Sequence, residues 1–313
     1  MITVLYARSH LAFVTRFVTL LCLISCLGES ARADLLITQS VGKGGKNKCN
    51  DVRIIQYLLN HVPNEKGGTA NAPLKIDGKT GPITEAAILK FQSMNSLATD
   101  SRVDPGGRAI KKLNELNSSG DFKPGRSAKF KSDGTPASGP HPGAGIAWGN
   151  IVTAEFKAKV IQIANDLEAD PSDLMAAMYF ESGGSFAPDK VNESSCAIGL
   201  IQFVSLTSEG LGTSQFSLLQ MDAETQLDFV KKYLMTYKGK IKSLPDLYMA
   251  ILNPSFVGKS GNSAVFTKVA NPLEYEQNKG LDLSPADGVI TKDEAAAKVK
   301  MTRDEGLRVG NAG

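Results

Sequence analysis

Glu181 is the side chain best placed to do chemistry. It closes the apolar run 171–180 and is followed at once by Ser182-Gly183-Gly184. That order puts a lone carboxylate at the end of an apolar helix, opening onto a flexible turn. Burial disfavours the charged form of a carboxyl group and raises its pKa. An acid of this kind keeps its proton near neutral pH and can pass it to a leaving oxygen. Cleavage of a glycosidic bond needs such a donor. Leu174, Met178 and Glu181 fall at i, i+4 and i+7, so the acid shares the buried stripe of its helix.

The residues after the acid could line a cleft. Gly183, Gly184 and Pro188 shape a loop that leaves Glu181 open, and Gly199 permits close approach of backbone. Ser195 and Gln202 offer polar groups; the Gln202 amide both donates and accepts, which suits sugar hydroxyls and acetamido groups. Phe203 would supply an apolar wall. A glycosidase with two carboxylates needs its second acid roughly 5–9.5 Å from the first. Asp189 and Glu193 lie in the same loop, but read better as solvated loop charge.

These groups must be held by helices, and the helix signals are clear. Thr153 caps a helix running to Leu167. Asp170-Pro171-Ser172-Asp173 is a cap, a Pro in the first turn and an acid beside it. Further upstream, Val52, Ile55, Leu58 and Leu59 recur at helical spacing, with Asn50 or Asp51 as N-cap. Asp77-Gly78 and Thr80-Gly81 are turn chemistry before a helix that begins at Pro82 and carries Ile83, Ala87, Ile88 and Phe91. A third short helix spans 108–116.

The chain has 313 residues, enough for about two domains of roughly 150 residues each. Its formal charge is +3, with no concentrated basic stripe, which argues against a nucleic-acid binder. Residues 1–33 read as a targeting segment: Arg8 and Arg16, the apolar run 17–27, then Ala31-Arg32-Ala33 as a cleavage site. That run is too short to span a bilayer comfortably, so no transmembrane segment is expected in the mature chain. Leu23-Ile24-Ser25-Cys26 is a competing reading, a lipobox in which Cys26 carries a lipid anchor. The protein is therefore expected to be exported, secreted or periplasmic, and monomeric. Residues 34–48 read as a flexible lead, and 119–150, rich in Gly, Pro, Ser and Lys, as a linker ending in Trp148, which should pack on the next domain. Of four cysteines, Cys49 and Cys196 remain after the targeting segment; an oxidising compartment would allow them to pair if the two domains docked, but two separate buried thiols are the simpler expectation, and no pattern suggests zinc.

Two resemblances sharpen this picture. DVRIIQYLLN, IDGKTGPITEAAILKFQ and VDPGGRAIKKLN resemble the small three-helix peptidoglycan-binding domain of bacterial wall hydrolases, over residues 49–118. Residues 62–73 form a longer insertion than that pattern carries, beside the expected binding groove. The ordered set ESGGSF…P, SSCAIGLIQF and DAETQLDFVKKYL resembles the lysozyme-like domain of lytic transglycosylases, the phage-like subgroup, over residues 151–276. The first resemblance implies glycan strands of peptidoglycan as partner. The second implies a mainly α protein, with a lysozyme-like α+β domain that is mostly helical. It also implies a single acid/base, Glu181, with Ser195, Gln202 and Phe203 lining the cleft. The bond cut would be the β-1,4 link from N-acetylmuramic acid to N-acetylglucosamine, with a 1,6-anhydro end; attack by water instead would make a lysozyme. Many relatives place a Tyr against the acid within Ala-Tyr-Asn. Here the region reads Leu247-Tyr248-Met249-Ala250-Ile251-Leu252-Asn253, which leaves Tyr248 and Asn253 as candidates for that support. A wall-binding protein with an inactive second domain, and a toxin aimed at competitors, are the alternatives.

The tail, 277–313, carries Asp287-Gly288-Val289-Ile290 and then Glu294, like the latter half of an EF-hand loop. Asp282, Ser284, Asp287 and Glu294 would be the calcium ligands if one residue were inserted. No cofactor is required by the chemistry of Glu181.

Overall fold

A computed structural model of the chain describes residues 34–117, 145–283 and 285–313. The targeting segment, most of the linker and Ser284 lie outside the described residues. The protein is mainly helical, with two separate hydrophobic cores.

The first core is built from strand β1 (Val41–Gly42), helix α1 (Cys49–His61), helix α2 (Pro82–Met94), strand β2 (Arg102–Val103) and helix α3 (Arg108–Leu116). The sequence placed α2 and α3 well: Pro82 opens α2, and Ala87, Ile88 and Phe91 of the expected stripe are buried, although Ile83 is left exposed. It misread the lead. β1 pairs antiparallel with β2, and Ile37 and Val41 are buried with Val52, Ile55 and Leu58. Asp51 does not cap α1. Its carboxylate accepts from the Thr38 and Gln39 amides and the Thr38 hydroxyl, which ties the lead down, and α1 begins at Cys49. Residues 62–73 are gathered on Asn60, whose amide bonds both backbone groups of Leu74 and the Thr69 hydroxyl.

The second core runs from Ile146 to Val299. Its helices are α4 (Ala154–Leu167), α5 (Pro171–Glu181), α6 (Ser205–Gly210), α7 (Gln215–Gln220), α8 (Ala223–Leu234), α9 (Leu244–Leu252), α10 (Pro272–Asn278) and α11 (Lys292–Gly306). Strands β3 (Ala264–Thr267) and β4 (Val289–Thr291) form a small antiparallel ladder in register Phe266 to Ile290. Helix α5 is central: α4, α9 and α11 all pack on it. Thr153, Asp170 and Asp222 cap α4, α5 and α8 with their side chains.

Two boundaries differ from expectation. Residues 145–150 belong to the second core and not to a linker. Trp148 is buried, its ring stacks on Tyr179 with centroids 3.9 Å apart, and its indole N–H donates to the Thr302 carbonyl. The tail is part of the same core. α11 packs on α5, and Lys292 forms a buried ion pair with Asp246 of α9. A buried pair of this kind is costly to break, because either partner left alone is an uncompensated charge. The Lys292 ammonium also donates to the Lys259 carbonyl, and the Asp246 carboxylate accepts from the Gly258 amide, so both charges are hydrogen-bonded.

Cys49 and Cys196 are not separate thiols. They form a disulfide between α1 and the loop after α5, across 147 residues of sequence. Around it the two cores touch. Phe216 of α7 lies in the first core, stacked on Tyr57 with centroids 4.6 Å apart.

Candidate functional site

Glu181 sits at the last position of α5, before a turn that only small residues can make. Gly183 and Gly184 both have positive φ, and a Cβ on Gly184 would press on the Tyr179 ring. Glycine there removes the clash as well as the conformational cost. Burial pushes the Glu181 carboxyl up to about 7. A hydrogen bond from Tyr248 opposes that rise, since it favours the charged form, but does not cancel it. The acid is thus poised near neutrality, where it can both give and regain a proton.

Tyr248 is the support that the sequence left open between two residues. Its ring is 2% exposed on α9 and meets Phe180 edge-on, with centroids 5.9 Å apart. Burial, then the charge of Glu181, holds the phenol well above its ordinary range, so it remains a hydrogen-bond donor. Asn253 does something else. It ends α9, and its side-chain oxygen accepts from the Ser255 hydroxyl.

The loop residues expected to line a cleft have mainly structural duties. The Ser195 hydroxyl accepts from the Ala197 amide in an exposed turn. The Gln202 amide donates to the Gly199 carbonyl, and Gln202 itself has positive φ. Phe203 is 1% exposed and fills core instead of walling a cleft. Its backbone bridges Ile198, which also bridges Val191, so 191–203 forms a compact hairpin. The carboxylates of that loop do not face the acid as partners: Asp189 is exposed, and Glu193 accepts from the Cys49 amide of the first module.

Sequence reasoning missed the groups that hold this loop in place. Gln226 of α8 is fully buried. Its carbonyl accepts from the Leu200 amide, and its amide donates to the carbonyls of Pro188 and Leu218. Gly199 leaves room for it, because a Cβ there would sit 2.3 Å from the Gln226 oxygen. The available signal was a polar residue on the buried stripe that also holds Leu227, Val230 and Leu234. Arg53 was likewise missed. It is 1% exposed, and its guanidinium donates to the Cys196 carbonyl and to the Gln215 side chain. Burial pulls it down to about 10, against the opposing pull of Asp77 and Glu193, so it stays cationic at neutral pH.

A second candidate site lies in the first module. A cleft of about 210 Å³ is lined by Gln56, Lys75, Asp77, Thr80, Pro82 and Ile83, among others. Glu181 is not among its lining residues. The Gln56 amide organises the turn on its rim, accepting from the Asp77 and Gly78 amides and donating to the Asp77 carboxylate and Lys79 carbonyl. The Thr80 hydroxyl is buried there with no hydrogen-bond partner. Ile83 is 78% exposed. A mixture of apolar surface, both charge signs and an unspent hydroxyl suits a ligand with hydroxyl groups and apolar faces.

The calcium arrangement expected in the tail is not formed among the described residues. Glu294 makes a capping box with Thr291 at the start of α11. Asp282 accepts from the Tyr275 hydroxyl and the Gly288 amide, and Asp287 accepts from the Val289 amide. Ser284 lies outside the described residues. No group of three or more His, Cys, Asp or Glu among the described residues is gathered for a metal ion. The turn of the motif is present and Glu294 caps α11, while one carboxylate oxygen of Asp282 is buried with no hydrogen-bond partner.

With both sites placed, comparison with known proteins bears on the first module. Residues 49–109 match the family model described as "Putative peptidoglycan binding domain". The chain therefore carries a wall-binding module, with peptidoglycan as the partner that module implies. That association implies a location at the cell wall, and no helix among the described residues is long and apolar enough to cross a membrane. No curated protein and no solved structure matches the chain.

Proposed function

We propose that the protein binds peptidoglycan through its first module and cuts the glycan strand with its second. The bond is the β-1,4 link between N-acetylmuramic acid and N-acetylglucosamine, and the enzyme is a lytic transglycosylase. The observation that carries this reading is Glu181: a carboxyl raised to about 7 at a helix end, hydrogen-bonded by a buried tyrosine. Paired groups of this sort are far more common at working sites than in ordinary cores.

The chemistry uses one carboxyl group. Protonated Glu181 gives its proton to the bridging oxygen as the glycosidic bond breaks. The N-acetyl oxygen of the muramic acid assists at the anomeric carbon. Glu181, now a carboxylate, takes the proton of the 6-hydroxyl as that oxygen closes the 1,6-anhydro ring. Proton and bonds balance without water. Tyr248 supports the charged form in the middle of this cycle. The turning of Glu193 to the Cys49 amide favours a single acid over a carboxylate pair.

Two measurements test the proposal. Purified walls should be cleared by the wild type and not by Glu181→Gln, while both pellet with the walls. Mass spectrometry of the released fragments should find anhydro ends. Reducing ends would make the second module a hydrolase, and absence of clearing by the wild type would leave only wall binding.

A further inference from the structure

We propose that one glycan strand occupies the first-module cleft and the Glu181 site at the same time, because the two modules are docked as a single surface and not joined as beads on a tether. This rests on the reading of Glu181 as the acid. The docking is specific. The Cys49–Cys196 disulfide joins α1 to the loop that follows Glu181. Beside it, buried Arg53 donates to the Cys196 carbonyl, and Gln215 donates to the carbonyls of Cys196 and Phe203.

The same junction reaches the rim of the cleft. Lys75, which lines the cleft, pairs with Glu209 of α6 at 2.8 Å. Helix α6 starts two residues after Phe203, the end of the hairpin that follows the acid. One folded segment, 182–210, therefore leads from Glu181 to the wall of the cleft. Its outward side carries Leu206, 78% exposed, and the cleft offers the equally exposed Ile83. Sugar rings present alternating apolar faces and hydroxyl edges, and this stretch supplies both apolar and polar partners.

A fixed span acts as a ruler. Occupancy of the second site becomes intramolecular once a strand is long enough to reach it, and affinity then rises steeply. A strand too short to span gains nothing. The preferred substrate is accordingly a long, uncut strand, and short released fragments are poor ligands.

The test uses oxidised Glu181→Gln protein and soluble, un-cross-linked glycan strands of about four, eight and twenty sugars, compared at equal sugar concentration. Affinity should rise at least about tenfold from the shortest to the longest. A flat series overturns the proposal. Cys49→Ser with Cys196→Ser, added to Glu181→Gln, removes the pin and leaves both sites; where urea then unfolds the modules in two transitions, it should lose most of the gain, and full retention in such a variant also overturns the proposal. Wild-type cleavage separates the two readings. A length-dependent affinity with no cleavage of any strand defeats the acid and keeps the span. Equal cleavage per bond of short and long strands, with a flat affinity series, keeps the acid and defeats the span.

Discussion

The two modules solve opposite problems. The first leaves the apolar Ile83 side chain exposed at its cleft and commits carboxylates to structure; Asp51, for example, is consumed by three donors. The second does the reverse. It spends its loop hydroxyls and amides on structure, as with Ser195 and Gln202, and holds one half-buried carboxyl group well above its ordinary pKa. Binding a polymer needs accessible polar and apolar surface held in place. Breaking it needs one group kept in an unfavourable state.

Glu181→Gln breaks the contrast most sharply. Clearing of walls should fall about a thousandfold, as for loss of a general acid, while pelleting stays unchanged. Removing the disulfide with Cys49→Ser and Cys196→Ser should come next. Stability should drop by about 2–5 kcal/mol, and urea unfolding should split into two transitions, one per module. A single unshifted transition would mean that the modules are coupled by other contacts. Gln226→Ala leaves the Leu200 amide and two carbonyls without their buried partner. It should cost about 2 kcal/mol in the second module and lower cleavage, with wall binding intact.

The pH behaviour sharpens the picture further. Burial pushes Glu181 up to about 7 in the folded chain, above its ordinary value of 4.5. Its contribution is fully present below about 4.5 and is lost as pH rises through about 7, because the unfolded chain releases that proton first. Glu181→Gln should therefore match the wild type in stability at low pH and exceed it by about 1–3 kcal/mol above pH 7 in denaturant titrations. The smallest effect is that of Tyr248→Phe. The lost hydrogen bond favoured the carboxylate, so the acid should titrate higher. The falling limb of kcat/KM should shift to higher pH, with activity lowered about tenfold by the loss of a hydrogen bond to a charged group. A downward shift of the limb would contradict the assigned contact.

What could be read without coordinates was local. Thr153 and Asp170 announced their helices, Pro82 marked another, and Glu181 was placed by its spacing from Leu174 and Met178. What could not be read was long-range. Cys49 and Cys196 carry no sign of pairing until the modules dock. Arg53 looks like a surface residue until the Cys196 carbonyl arrives beside it. The lead seemed too polar to fold, yet Asp51 satisfies its backbone and β2 pairs with β1. The tail was read as a separate motif because Lys292 gives no hint of its partner 46 residues earlier. Phe203 is placed in a cleft by its type and by the resemblance, and neither carries the packing that buries its ring.

The packing of α11 on α5 also sets an order of events during synthesis. Glu181 leaves the ribosome more than a hundred residues before Lys292, the residue that pins α9 and with it Tyr248. Trp148, although earlier still, finds its carbonyl acceptor only when Thr302 has emerged. The surroundings of Glu181 thus stay unassembled until α11 has been made, and a chain cut before α11 should keep the first module folded while α5 lacks its packing partner.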